Sequence, residues 1–378
     1  MQNMNNLSRG ARGRPDLVRV AVVAPTLDIL GGQAVQADRL LRSLESTPDI
    51  RAELLPINPR LPGALRWLQE IKYVRTLVTS VAYAWRLLRT IPNVEVVHIF
   101  SASYFSFVIA PTPALWASRL LGKPTVLNYH SGEAEDHLER WRRTAIPTLR
   151  MADRIVVPSE YLIEVFSQFN LPAQAIPNSL DLDQFRFRLR SDLKPVFLSN
   201  RNLEVHYGVD VVLEAFALIQ KQVSDAVLLI AGYGSQEEPL RSMSETLGCM
   251  NVQFLGRVST ARMIDLYDDA DVFLNASAID NMPLSILEAH ASGLPVVTSD
   301  AGGIPYIVEH ESTALVVPVR RPSELASQAL KLLGDPALAR RLSAQGRASV
   351  EERYTMEGVM PSWVDLYHDL ASKTRIVD

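Results

Sequence analysis

"DVFLNASAIDNMPLSILEAHASGLPVVTSD", Asp271 to Asp300, compresses a strand, a loop, a helix and a second strand into one short run. The apolar "DVFLNAS" reads as a buried strand, "AIDNMP" as a loop, "LSILEAHAS" as a helix and "LPVVTSD" as the next strand. Strands joined by a helix pair in parallel through a right-handed crossover, which predicts an α/β sheet covered on both faces. Pro283 is tolerated in the first helical turn, and Leu284, Ile286, Leu287 and Ala291 supply the apolar face.

The same rhythm extends in both directions. Upstream, "KPVFLSN", "AVLLIAG" and "NVQFLG" read as strands, with helices "GVDVVLEAFALIQKQ", "QEEPLRSMSETLG" and "ARMIDLYDDA" between them. Downstream come "TALVVPV" and helices, one opening at Asp335-Pro336 with an N-cap and a first-turn proline. The N-terminal half repeats the pattern with "VRVAVVAP", the helix after Gly31 and Gly32, "VEVVHIF", "PTVLNYH", "DRIVVPS" and "AQAIPNS". The expected architecture is two doubly wound parallel-sheet domains with a cleft between them. Residues 1–15 read as a flexible tail, 16–180 as the N-terminal domain, 181–194 as a charged linker and 195–355 as the C-terminal domain.

At 378 residues the chain is long enough for two full cores, and 47% hydrophobic with 21% charged residues excludes wholesale disorder. A net charge of -4 argues against a nucleic-acid partner. The single cysteine, Cys249, excludes an intramolecular disulfide and fits a reducing, cytoplasmic setting, as does an N-terminus without a secretory pattern. Ile99–Ser118 is uncharged, but its serines, Pro111 and Pro113 predict a buried strand and a proline-broken core helix rather than a membrane span.

In open α/β sheets ligands bind beyond the carboxyl ends of the strands. The helix start at Pro283 and Leu284 offers free amides that suit a phosphate. Asp280 lies just before that start, and Glu288 in the second turn leans back toward it. Carboxylates accept from hydroxyls, so amides and acids together imply a sugar phosphate. The plainer reading makes Asp280 a helix cap and Glu288 a solvated side chain. In "SDAGGIPYIV", Gly302 and Gly303 precede a second proline-led helix start, expected to bring another backbone surface to the same ligand.

The order and spacing of these motifs resemble family 4 of the retaining glycosyltransferases, which have the GT-B fold of two facing Rossmann-like domains. The family's paired acids with seven residues between them, running into an "EAMA-x-G-x-PVV" pattern and "GG-x-PE", are similar to Asp280, Glu288, "AHASGLPVV" and "GGIPY". "IPNSLDLDQF", "LLIAGYGSQEEPL", "NVQFLGRV" and "LGGQAVQADRLLRSL" extend the likeness from Val18 to about Ser372. The resemblance implies a nucleotide-diphosphate sugar as co-substrate, with no further cofactor and no metal, and a glycan, lipid-linked or small-molecule acceptor. It implies that Glu288 holds the ribose, that Asp280 contacts sugar hydroxyls, and that the backbone at Pro283 and Leu284 meets the phosphates. Arg201 would take the diphosphate, Gly31 and Gly32 would face it from the other domain, and Gly256 would lie near the base. His130 would stand beside the reacting sugar, so His130, Asp280 and Arg201 form the implied catalytic set. The last segment, 356–378, would be a helix crossing back to the N-terminal domain.

Three positions differ from the family pattern. The first acid is Asp280 rather than Glu, His206 stands where a lysine is frequent, and Tyr306 replaces the glutamate of "GG-x-PE". "GYGSQE" lacks the third glycine of a dinucleotide fingerprint, which disfavours an NAD enzyme. His130 and His137 in "HSGEAEDH" have no companion cluster for a metal, and Asp181 and Asp183 in "DLDQF" fall in the linker. A nucleotide-sugar epimerase of the same fold and a donor-binding paralogue without activity are the alternatives.

Residues 60–91 are basic and aromatic: Arg60, Arg66, Lys72, Arg75, Arg86 and Arg89 face Glu70 alone, with Trp67, Tyr73, Tyr83 and Trp85 among them. One reading is a core helix pair with a solvated basic face. The other is peripheral contact with an anionic membrane, on its inner face, giving access to a lipid-linked acceptor.

Overall fold

The computed structural model describes residues 17–28 and 32–375. Among the described residues twelve strands form two parallel six-stranded sheets, ordered β2-β1-β3-β4-β5-β6 and β12-β11-β10-β7-β8-β9. In the first sheet these are β1 Val18–Ala24, β2 Ile50–Pro56, β3 Val96–Ser101, β4 Thr125–Tyr129, β5 Arg154–Val157 and β6 Gln174–Ala175. The second holds β7 Val196–Ser199, β8 Val227–Ala231, β9 Val252–Gly256, β10 Val272–Asn275, β11 Val296–Ser299 and β12 Leu315–Val317. Strand order reverses between β1 and β3 and between β7 and β10, which opens a crevice at the carboxyl edge of each sheet.

The central strands are buried on both faces, which is why they read as continuous apolar runs: β3 and β10 are buried throughout. One strand has no such signal. β2, "IRAELLP", lies at the sheet edge with Glu53 and Leu54 exposed, so it needs no apolar run and is missing from the sequence reading.

The segment 181–194 is not a solvated tether. Phe185 and Arg190 are buried against the second domain. The Arg190 guanidinium donates to the carbonyls of Tyr267 and Ala270 and lies 3.4 Å from the Asp271 carboxylate. The chain instead crosses near Leu180, whose N–H donates to Tyr354 O at 2.8 Å while its carbonyl accepts from Met356 N at 3.1 Å. The outward and return crossings thus run side by side. After the return, the helix Met356–Arg375 lays Val359, Trp363, Leu366 and Tyr367 on Val18, Val20 and Val22 of the first sheet. Before it, Asp335 accepts from Leu338 N at 2.9 Å and caps the helix Pro336–Arg353.

The stretch after β3 forms two short helices, Tyr104–Ile109 and Pro111–Leu120, broken at the proline. They are core on one side only, because Phe105, Trp116 and Leu120 are exposed. Residues 60–91 are not a helix pair. A 3-10 stretch, Gly63–Gln69, buries nothing, and the helix Val74–Thr90 buries Tyr83 and Leu87 alone. No helix among the described residues is long and apolar enough to cross a membrane.

Candidate active site

A cleft of about 770 Å³ runs between the two sheets' carboxyl edges. That volume suits a ligand of nucleotide-sugar size. Gly32, His130, Arg201, His206, Gly256, Asp280, Pro283, Leu284 and Glu288 all line it, so the fold brings these expected residues together from both domains. Gly31 lies outside the described residues.

Arg201 lies two residues past the end of β7, next to the switch point. Its guanidinium donates to Ser285 Oγ at 3.1 Å and to Asp280 Oδ2 at 2.5 Å, and lies 4.3 Å from the Tyr207 ring centre. The side chain is held at three points beside the first turn of the helix Leu284–Ala291. A fixed guanidinium next to helix amides is a ready anion site. Asp280 does not cap that helix: Pro283 occupies the cap position and Asp280 Oδ1 accepts from Asn281 N at 3.0 Å. Burial pushes the Asp280 carboxyl above its ordinary range, while the Arg201 guanidinium pulls it back toward the ionised form.

Glu288 is not solvated either. Oε1 accepts from Arg39 at 3.1 Å, an ion pair across the cleft, and Oε2 accepts from Tyr267 Oη at 3.0 Å. Arg39 sits on the helix Gly32–Glu45 and also donates to Ser179 O at the crossing. Neither partner is legible in the sequence. Arg39 reads as an ordinary charge on an amphipathic helix and Tyr267 as a core aromatic.

The expectation for Gly302 and Gly303 fails. A Cβ on Gly303 would fall 1.8 Å from Asn281 O, and one on Gly302 would fall 2.2 Å from Asp280 O. Gly303 N donates to Asp280 O at 2.9 Å, so the glycines let this loop brace the Asp280 loop from behind. The helix start they precede is a three-residue 3-10 turn, Ile304–Tyr306, and it does not form the cleft wall.

His130 follows β4 directly and meets the Asp280 loop at Asn281. Its carbonyl accepts from Asn281 Nδ2 at 2.8 Å, joining the two domains, and its ring stacks on Phe100 with centres 5.2 Å apart. Burial lowers its pKa to about 4, so the ring is neutral near pH ~7, and its buried Nε2 has no hydrogen-bond partner among the described residues. His137, seven residues on, is turned into the core against Tyr129 Oη at 2.8 Å. Among the described residues no group of three or more His, Cys, Asp or Glu side chains is placed to hold a metal ion. His206 packs its ring 4.2 Å from that of Tyr207, one residue away from the aromatic under Arg201. Gly256, at φ +62°, closes β9 with open space where a Cβ would stand.

Comparison with known proteins gives a consistent picture. The family described as "Glycosyltransferase Family 4" matches residues 18–184, and "Glycosyl transferases group 1" matches residues 182–349. A GDP-mannose-dependent monoacylated alpha-(1-6)-phosphatidylinositol monomannoside mannosyltransferase of Corynebacterium glutamicum is 32% identical over 174 residues, 44% of this chain and 45% of that protein. A Mycobacterium tuberculosis GDP-mannose-dependent alpha-(1-6)-phosphatidylinositol monomannoside mannosyltransferase is 28% identical over 234 residues, covering 56% and 61%. The chain spans about half the length of the first curated relatives it matches. In structure it is similar to Anabaena HepE in complex with UDP and glucose, with TM-score 0.73 and 17% identity over 92% of this chain and 99% of that one. Sucrose-phosphate synthase from Thermosynechococcus elongatus gives TM-score 0.73 and 20% identity, covering 94% and 100%. At these identities the structural likeness establishes the fold.

Proposed function

Because the chain belongs to glycosyltransferase family 4 and has the GT-B fold, we propose that it moves a sugar from a nucleotide-diphosphate sugar to an acceptor hydroxyl, with retention at the anomeric carbon. The observation that carries this is the Arg201 guanidinium, pinned between Asp280 and Ser285 at a helix start inside a two-domain cleft. A departing nucleoside diphosphate develops negative charge, and a fixed cation with helix amides offsets that charge as it forms. Glu288 receives the ribose hydroxyls, Asp280 the sugar hydroxyls, and His130 hydrogen-bonds the reacting sugar from the facing domain.

Retention by double displacement needs a free carboxylate nucleophile. Asp280 is committed to Arg201 and the Asn281 amide, and Glu288 to Arg39 and Tyr267. That favours same-face substitution. The acceptor oxygen bonds to the anomeric carbon as the carbon–phosphate-oxygen bond breaks, and the acceptor proton passes to the departing phosphate oxygen. No cofactor besides the nucleotide sugar enters this scheme. The acceptor is a glycan, lipid-linked or small-molecule hydroxyl, and the site of action is the cytoplasm or the inner membrane face. Titration with a panel of UDP-, GDP- and ADP-linked sugars, followed by anomeric assignment of the product by NMR, tests the reading. No binding to any member would overturn it, and an inverted product would overturn retention. Conversion of the free donor to an epimer would favour the epimerase alternative.

A further inference from the structure

The helix Val74–Thr90 has two apolar faces, and its core needs only one. Tyr83 and Leu87 point inward, with Tyr83 Oη donating to Ala110 O at 2.7 Å. Leu77, Val81, Trp85 and Leu88 are between 55% and 67% exposed. At ~100° per residue those four fall within roughly 80° of arc, well away from the buried pair. The elements around it add exposed Leu65, Trp67, Ile71 and Tyr73 from the segment before the helix, and Phe105, Val108, Trp116 and Leu120 from the two short helices after β3. Single exposed apolar residues are ordinary on a protein surface, but a cluster on packed neighbours marks an interaction site.

The chemistry around this face selects the partner. Arg66, Lys72, Arg75, Arg86, Arg89 and Arg119 lie on or beside the same elements, in a chain whose net charge is -4. Arg89 lies over the Trp85 ring at 5.2 Å and Lys72 over the Tyr73 ring at 5.4 Å. Three of the chain's five tryptophans are exposed here, the side chains best suited to a water–hydrocarbon boundary. The face also reaches the active site, since Ile109 is exposed on the same short helix as Phe105 and lines the cleft.

We propose that this face docks on an anionic lipid bilayer, with Leu77, Val81, Trp85 and Leu88 entering the interface and the arginines binding head groups. The cleft's N-terminal wall then opens at head-group level, which makes the acceptor a membrane lipid. The acceptor assignment rests on the transferase reading; the docking does not.

Sedimentation with vesicles tests it, using phosphatidylcholine alone and phosphatidylcholine mixed with phosphatidylglycerol. The wild-type chain should bind the mixed vesicles and not the neutral ones, and added salt should weaken that binding. Leu77→Glu/Val81→Glu changes only exposed positions and should lower partitioning at least ~10-fold. Arg75→Glu/Arg89→Glu should lower it as well. Equal binding to both vesicles, none to either, or a Leu77→Glu/Val81→Glu variant that binds like wild type would overturn the proposal. So would a dimer that this variant dissolves, because the face would then be covered by a second copy. Donor titration of the same variant separates the two readings: docking lost with donor affinity intact supports the lipid surface. A wild type that docks but binds no nucleotide sugar refutes the transferase and the lipid acceptor, and leaves the docking surface standing.

Discussion

Replacing Arg39 by methionine should weaken donor binding, but only while Glu288 is present to be held. Arg39 and Tyr267 each give Glu288 one hydrogen bond, at 3.1 and 3.0 Å. A carboxylate has about four acceptor sites, so roughly two remain for a ribose diol without displacing either partner. In the proposed reading Arg39 is a positioning residue, holding the Glu288 carboxylate at 3.1 Å from the opposite domain. A hydrogen bond to a charged group is worth about 1.5–3 kcal/mol. Glu288→Gln removes the ribose's charged acceptor directly, so the full range applies, a rise in Kd of roughly 10- to 150-fold. Arg39→Met keeps the apolar stem and loses only the clamp, for which the low end, about 10-fold, is expected. In the Glu288→Gln background the same Arg39→Met change should shift Kd by less than about 2-fold, because there is no carboxylate left to orient. Calorimetric titration of the four proteins with the best-binding nucleotide sugar measures the cycle, and a melting curve on each verifies folding. If the Arg39→Met loss persisted undiminished beside Glu288→Gln, Arg39 would be touching the donor itself. Tighter binding in Arg39→Met would mean that Arg39 competes with the ribose, and the clamp argument would fail.

His130→Ala should lower kcat by about 3- to 10-fold, one hydrogen bond's worth, with donor Kd little changed; a variant with normal turnover would place His130 away from the reacting sugar. Because burial keeps the His130 ring neutral down to about pH 4, its protonation should contribute no inflection to the pH–rate profile between pH ~5.5 and ~7.5. Stability, by contrast, should depend on pH. Fully buried His98 and His290 have pKa values lowered to about 3 and about 4. Their contribution is complete above the unfolded value of ~6.5 and is lost as pH falls from there toward the folded values, about 2 kcal/mol each between pH ~7 and ~5. A melting temperature unchanged over that interval would contradict the buried, neutral state. His206→Lys places a permanent cation next to the aromatic that supports Arg201 and should tighten donor binding at pH ~8; an unaltered Kd would put that position out of reach of the phosphates.

The strands and their order of appearance were readable from sequence because the signal is local. A strand buried on both faces must be apolar throughout, as β3 and β10 are, and a helix start declares itself through an N-cap such as Asp335 before Pro336. The edge strand β2 escaped for the converse reason: half-exposed residues carry no burial pattern. Local reading also placed Asp280, Arg201 and His130 at strand ends, where an α/β sheet gathers its ligands. What each of them touches was decided by the tertiary structure. Arg39 meets Glu288 249 positions away, His130 meets Asn281 151 away, and Gly303 is spent on bracing Asp280. The exposed face of the helix Val74–Thr90 is of the same kind. Its basic and aromatic composition is written in the sequence, yet nothing local distinguishes an apolar stripe that meets the core from one that meets solvent. Pairings of that range depend on how two sheets and a returning C-terminal helix close on one another, and no window of neighbouring residues contains that geometry.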